Sequence, residues 1–251
     1  MRLIQSLAKQ SYVDWELLIS DGGSTDGTAE YIATLPVGTV KSFDSRPDSG
    51  IYNALNRALR QATGEWVLVL GADDSLVSAA SLEDLYLKIK SVSPTVRLCY
   101  GDIEIQGKNH VFKKHYPDFQ EFTRKYGKFP PIHHQSMLIR REEMLLKGGF
   151  SEAYRIHSDY HLMCQILTDS VAVKIECVVA RFGEFGYSGS VKNVVRSIVE
   201  IYRIRKSFGV DPFERDWKQR YLIQITHGLV RILLPTAAVE KIKYFYRSII
   251  K

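Results

Sequence analysis

Two adjacent carboxylates, Asp73 and Asp74, close the apolar run Trp66-Val67-Leu68-Val69-Leu70-Gly71-Ala72. A strand apolar on both faces is buried in a sheet, so this run delivers the pair to the sheet's C-terminal edge, where open α/β sheets bind ligands. Carboxylate oxygens at such an edge suit a hard divalent cation and phosphate chemistry. Asp is also a common turn former and cap, and the pair alone fits that reading as well. A second loop carries the same kind of group. Leu17-Leu18-Ile19-Ser20 is a short apolar strand that runs into Asp21-Gly22-Gly23-Ser24-Thr25-Asp26-Gly27-Thr28, which opens a helix to about Leu35. Glycines let the backbone approach a ligand closely, and Ser24 or Thr25 can cap the helix. A well-capped strand-helix turn is the plain alternative. Two acidic loops after two parallel strands favour a ligand site.

The elements that would hold these loops follow from periodicity. Residues 16 to 105 alternate short apolar runs with amphipathic segments, the pattern of βα units and a mostly parallel, doubly wound α/β sheet flanked by helices. Strands are expected near 16–20, 40–43, 65–70 and 96–103. Ile51, Leu55, Ala58 and Leu59 make one helical face after Ser49-Gly50, and Ser81-Leu82-Glu83-Asp84 reads as a helix start. Ile103 to Phe112 reads as a hairpin around Gly107-Lys108-Asn109. A strand at 136–139, a helix at 141–147 stopped by Gly148-Gly149, a helix from Ser158 and a strand at 171–179 complete the body. The glycine-rich stretch 183–189 separates residues 1–190 from a helical, basic extension at 191–251.

Of the 251 residues 45% are hydrophobic and 25% charged, the composition of a globular chain with one sizeable core. Residues 191–251 carry 13 Lys/Arg against 5 Asp/Glu, a net +8, which leaves −2 for residues 1–190. Cys99, Cys164 and Cys177 lack CxxC spacing and read as reduced thiols. No secretory leader and no apolar stretch long enough to cross a bilayer are evident, so a cytoplasmic protein is expected.

The motifs occur in a fixed order: residues 19–28, Asp48-Ser49-Gly50-Ile51-Tyr52-Asn53-Ala54-Leu55-Asn56, Gly71-Ala72-Asp73-Asp74, Tyr100-Gly101-Asp102, His134-Gln135-Ser136, Gly148-Gly149-Phe150 and Ser158-Asp159-Tyr160. Over roughly residues 1–190 this series resembles the family 2 glycosyltransferases, inverting enzymes of the GT-A fold. The resemblance implies that Asp21, Asp48 and Asp73 bind a nucleotide-sugar donor and that Asp74 is the principal ligand of Mg²⁺ or Mn²⁺. It implies that Asp159 is the general base, with Asp102, His134 and Gln135 near donor or acceptor. The chemistry is coherent: a hard cation neutralises a departing nucleoside diphosphate, and inversion needs one base on the acceptor side. Asp159 follows Ser158 at a helix start, where an acid also suits the helix dipole without any catalytic role.

The family begins with an apolar strand and a loop that holds the nucleotide base, whereas Met1 to Gln10 already has the face of the following helix (Leu3, Ile4, Leu7, Ala8). A version extended upstream is therefore expected to be more stable and more active. The overall expectation is a metal-dependent inverting glycosyltransferase that moves a hexose from a nucleotide-sugar to a glycan or lipid-linked acceptor in cell-surface polysaccharide synthesis. The extension reads either as a helical layer on the core or as a basic amphipathic surface for an anionic membrane at the cell's inner face. No nucleic-acid module is found. Two other readings remain. A non-catalytic nucleotide-sugar-binding remnant would follow from the absent strand, and a sugar nucleotidyltransferase would need a glycine-rich basic phosphate loop, which is lacking.

Overall fold

A computed structural model describes residues 2–107, 110–183, 193–214 and 216–233. The chain divides into two compact units, residues 1–184 and 185–251. The first opens with helix α1 (Arg2–Leu7), then β1 (Leu18–Asp21), α2 (Thr28–Ala33), β2 (Ser42–Ser45), α3 (Ile51–Gln61), β3 (Trp66–Leu68) and α4 (Ser81–Ile89). It continues with β4 (Leu98–Gln106), β5 (Val111–Lys114), α5 (Phe119–Tyr126), a single 3-10 turn (His134–Ser136), β6 (Met137–Arg140), α6 (Arg141–Leu146), α7 (Ser158–Ile166) and β7 (Ala172–Gly183).

The expected α/β architecture holds, with a two-stranded parallel sheet of β1 and β2 and a mixed five-stranded sheet of β3, β4, β5, β6 and β7. β1 pairs with β2 in parallel, and β4 pairs with β7 in parallel. β3 with β6, β6 with β4, and β4 with β5 run antiparallel. Antiparallel pairing enters where the tight hairpin makes β5 run back along β4 and where β6 inserts between β3 and β4. β4 is the centre of the unit: Leu98, Cys99, Tyr100 and Ile103 are fully buried there. Around it Leu85, Cys99, Leu138, Ile175, Val179 and Ala180 form a core, with Trp66, Leu68 and Leu70 packed against it. At Gly101 a Cβ would lie 2.7 Å from the Cys177 carbonyl, so glycine admits the close approach of β7 where the pairing bulges on both sides of Asp102.

Among the described residues β1 has no strand partner other than β2, and β3 none other than β6. A polar staple ties the starts of these strands. Glu16, just before β1, accepts from the Thr63 and Gly64 N–H groups before β3 at 2.6 and 2.8 Å, and pairs with Lys41 before β2. Burial opposes its charge, but Lys41 and the two backbone donors prevail and hold its carboxyl at about 2.

Helix α3 differs from the apolar face read in the sequence. Ile51 is exposed, and the buried face is Tyr52, Ala54, Asn56, Arg57 and Leu59. The buried polar side chains are bonded, which a search for apolar periodicity misses. Asn56 donates to the Phe150 carbonyl at 2.7 Å and accepts from the Phe150 N–H at 2.8 Å. Arg57 donates to Asp44 at 2.8 Å, to Asn53 at 3.0 Å and to the Asp21 carbonyl at 3.2 Å.

The second unit contains α8 (Val194–Ser207) and α9 (Trp217–Leu233). Arg205 is fully buried within it, 4.4 Å from the Trp217 ring centroid and 2.6 Å from Glu214. No helix of the described residues is long and apolar enough to cross a membrane. The hairpin tip Lys108-Asn109, most of the glycine-rich stretch and the basic segment 234–251 lie outside the described residues.

Candidate active site

The acidic pair after β3 is split by its turn. The Asp74 N–H donates to the Gly71 carbonyl at 3.1 Å, which closes the turn, and the Gly71 N–H donates to Asp74 Oδ2 at 2.7 Å. Asp74 is thereby drawn inside, 3% exposed, while Asp73 stays at the surface. Burial is the main influence raising the proton affinity of Asp74; the Gly71 N–H, the His134 charge and the Gln135 side chain lower it, and Asp73 adds to the rise. The turn is anchored beyond the pair, where Ser75 and Arg181 exchange backbone hydrogen bonds of 2.8 Å. That anchoring sets the end of β7 beside Asp73: a Cβ on Gly183 would stand 3.4 Å from Asp73 Oδ2.

Asp159 lies in the first turn of α7. Its Oδ1 accepts from the Tyr160 N–H at 2.8 Å, and its Oδ2 meets His134 Nδ1 at 2.9 Å. Burial pushes the carboxyl up, but His134, His157 and the Tyr160 N–H outweigh it and leave Asp159 below the usual carboxylate range. For His134 burial opposes the charge, and Asp159 and then Asp74 more than compensate, so the imidazole is held above its ordinary value. The Asp159 side chain keeps 19% of its surface exposed, enough to meet a substrate.

One 3-10 turn therefore reaches both acidic groups. Gln135 touches Asp74 and His134 binds Asp159, so consecutive residues join the loop after β3 to the start of α7. The sequence separates these acids by more than eighty positions.

Asp21 and Asp48 sit together on the other loop pair. Asp21 accepts from the Gly23 N–H at 3.0 Å, the Ser24 N–H at 2.8 Å, Ser24 Oγ at 2.5 Å and Ser45 Oγ at 2.6 Å. Ser24 and Ser45 are the largest reasons its carboxyl is held at about 2. Asp48 accepts from the Gly50 N–H at 2.8 Å, and a Cβ on Gly22 would fall 2.8 Å from its Oδ2, so the two loops approach closely there. Asp102 stands apart, 5% exposed and wrapped by His115 Nδ1 at 2.7 Å, the Tyr116 N–H at 3.0 Å and Lys174 at 3.6 Å.

The resemblance implies that the start of the helix after Asp48 lines the nucleotide pocket; the structure shows Tyr52 and Asn53 there fastening α3, with Glu152, to the segment leading into α7. Ser49 Oγ donates to Glu152 at 2.7 Å, Asn53 at 3.1 Å, and Tyr52 Oη reaches the Ile156 carbonyl at 2.5 Å. The polar residues clustered at 49–56 were the available signal.

Among the described residues no three His, Cys, Asp or Glu side chains converge as a metal cage. Asp74 with Asp73 beside it still fits a hard cation that takes most of its oxygens from phosphates and water, as Mg²⁺ does. Burial and the neighbouring acid burden Asp74 with a charge that a cation would relieve.

The profile described as Glycosyl transferase family 2 matches residues 1–145. A PGL/p-HBAD biosynthesis glycosyltransferase of Mycobacterium bovis is 32% identical over 187 residues, covering 73% of this chain and 71% of that one. The UDP-Glc:alpha-D-GlcNAc-diphosphoundecaprenol beta-1,3-glucosyltransferase WfgD of Escherichia coli is 26% identical over 174 residues, covering 69% of this chain and 66% of its own. Among solved structures, a mannosyltransferase of Pyrobaculum calidifontis in complex with GDP-Man and Mn2+ superposes with a TM-score of 0.59 at 18% identity, over 99% of this chain and 75% of that one. That likeness is one of fold, α/β of the GT-A type.

Proposed function

Because this chain belongs to the glycosyl transferase family 2, we propose that it moves a hexose from a nucleotide-sugar, with inversion, to a glycan or lipid-linked acceptor of a surface polysaccharide. The observation that carries this reading is the 3-10 turn His134–Ser136, in which His134 binds Asp159 and Gln135 acts on Asp74. Asp159 is the general base. Already ionised and oriented by His134 and the Tyr160 N–H, it takes the acceptor hydroxyl proton while the acceptor oxygen bonds to the anomeric carbon. The bond to the nucleoside diphosphate breaks on the opposite face, and that geometry inverts the centre.

Asp21, Asp48 and Asp73 serve the donor. Asp21 does so mainly by shaping the loop of Gly22 to Ser24, and Asp48 by closing against it. Mg²⁺ or Mn²⁺ held by Asp74 would supply the neutralisation of the departing diphosphate. The acceptor in WfgD's name, a diphosphoundecaprenol-linked sugar, supports a lipid-linked acceptor here and work at the inner face of a membrane. The second unit is compatible with that location: Val195 and Val199 on α8, and Leu222 and Ile225 on α9, are exposed in a segment of net positive charge.

Calorimetry with UDP or GDP, with and without Mn²⁺, tests the site. Metal-dependent binding that is lost in Asp74→Asn is the expected result. Equal metal-dependent affinity in Asp74→Asn would overturn the assignment of Asp74.

A further inference from the structure

The helix that carries Asp159 begins without a side-chain cap of its own, since His157 at the capping position makes no such bond. A helix leaves its first N–H groups without partners inside the helix. At α7 the Tyr160 N–H is taken by Asp159 Oδ1, and Tyr52 of α3 stands beside the start of the helix. Its ring is 7% exposed and stacked on Phe150 with centroids 5.5 Å apart, and its hydroxyl stands 2.5 Å from the Ile156 carbonyl and 3.2 Å from Asp159 Oδ1. The Ser158 and Asp159 N–H groups also act on that oxygen, against the dominant effect of burial.

The Tyr52 hydroxyl is the donor toward two oxygens: its one proton faces the Ile156 carbonyl at 2.5 Å and Asp159 Oδ1 at 3.2 Å. One atom thereby holds both the turn before α7 and one oxygen of the carboxylate, while His134 holds the other oxygen.

We propose that Tyr52 is a positioning residue for the transfer reaction: through its hydroxyl it fixes the turn that opens α7 and holds Asp159 Oδ1, so that Asp159 is oriented to take the acceptor proton. This rests on Asp159 being the base. The placement is built in, because α3 grips the same segment at three other points, Ser49 and Asn53 on Glu152 and Asn56 on Phe150. The residues that frame the Asp48 loop therefore also set the base.

The test is Tyr52→Phe in the full chain, which keeps the stacked ring and removes only the hydroxyl. Turnover is expected to fall about tenfold or more, the scale of a small misplacement of a reacting group. Nucleoside diphosphate affinity by calorimetry should stay within about twofold, since nothing that binds donor is removed. The acid limb of the pH-rate profile should move to higher pH, because a hydrogen-bond donor to the carboxylate is lost. Unchanged turnover, an unmoved acid limb, or turnover and affinity falling together would overturn the proposal. If Tyr52→Phe does not fold, fluorotyrosine at position 52 keeps the hydroxyl as a stronger donor and should move the acid limb to lower pH instead. Asp159→Asn is run alongside: full turnover there would remove the base itself, a failure distinct from an inert Tyr52.

Discussion

Replacing His134 with alanine breaks the link between the two acidic loops, and the pH at which the loss is felt follows from the geometry. Nδ1 lies 2.9 Å from Asp159 Oδ2, where two unit charges at an effective dielectric of about 20 attract by about 6 kcal/mol. The imidazole is 36% exposed, so solvent screening and side-chain entropy reduce the net worth to about 1–2 kcal/mol. Burial alone would raise Asp159 and lower His134; each partner reverses that, leaving Asp159 lowered and His134 raised. The stability owed to Asp159 is present above its unfolded value of about 3.9 and is lost as pH falls through its lowered folded value. That owed to His134 is complete below its unfolded value of about 6.5 and is lost as pH rises through its raised folded value. The pair contributes fully between about pH 4 and 6.5. Urea unfolding of wild type and His134→Ala, followed by tryptophan fluorescence in the presence of a chelator, should differ most in that window and converge on both sides. A difference that is flat in pH, or that grows above pH 8, would refute the ion-pair account.

Asp159→Asn should lower turnover by about 10²-fold or more while nucleoside diphosphate affinity, read by calorimetry, is kept; if both fall together the residue is only a helix-start acid. Gly148→Ala and Gly149→Ala should differ in thermal unfolding. Both glycines have positive φ, but a Cβ at Gly148 meets nothing within 4 Å, whereas at Gly149 it would stand 2.5 Å from Asn56 Oδ1. Losses of about 1 and about 2–3 kcal/mol are expected, and equal losses would refute the clamp between α3 and Phe150. Amide exchange should be slowest in β4, which is paired on both sides, and faster in β1 and β3, each with one strand partner among the described residues; protection in β3 equal to that in β4 would contradict the pairing.

The positions of the elements were legible because apolar period and punctuation agree. The hairpin expected at 103–112 is β4 turning into β5, with Gln106 opposite Val111. The helix expected at 141–147 is α6, ended by Gly148 and Gly149. α5 was not anticipated, although Asp118 accepts from the Glu121 N–H as an ordinary cap and the Asp-x-x-Glu spacing was there to read. Pairing direction past β4 was not legible, since an apolar run says that a strand is buried and not which way its neighbour runs. The acids of the site were visible as residue types. Their partners were not, because His134 and Asp159 meet only after β6 and α7 are placed, and no local pattern records a contact across 25 positions.

Polar residues explain why α3 resisted an apolar reading. A helix whose inner face is Tyr52, Asn56 and Arg57 stabilises less by burial than one faced with leucines, and each of these groups would destabilise the fold if left unpaired. Every one is instead bonded to a segment that ends in a site acid: Arg57 to the Asp21 carbonyl, Asn56 to Phe150, and Tyr52 to Ile156 and Asp159. Directional bonds fix distances that apolar contacts leave loose, and a transfer reaction depends on such distances more than on the stability of the helix. The same logic accounts for Asp21. A carboxylate saturated by its own loop is a poor free ligand and a good scaffold, so in the proposed donor site Asp21 acts by holding the backbone of Gly22 to Ser24 in place.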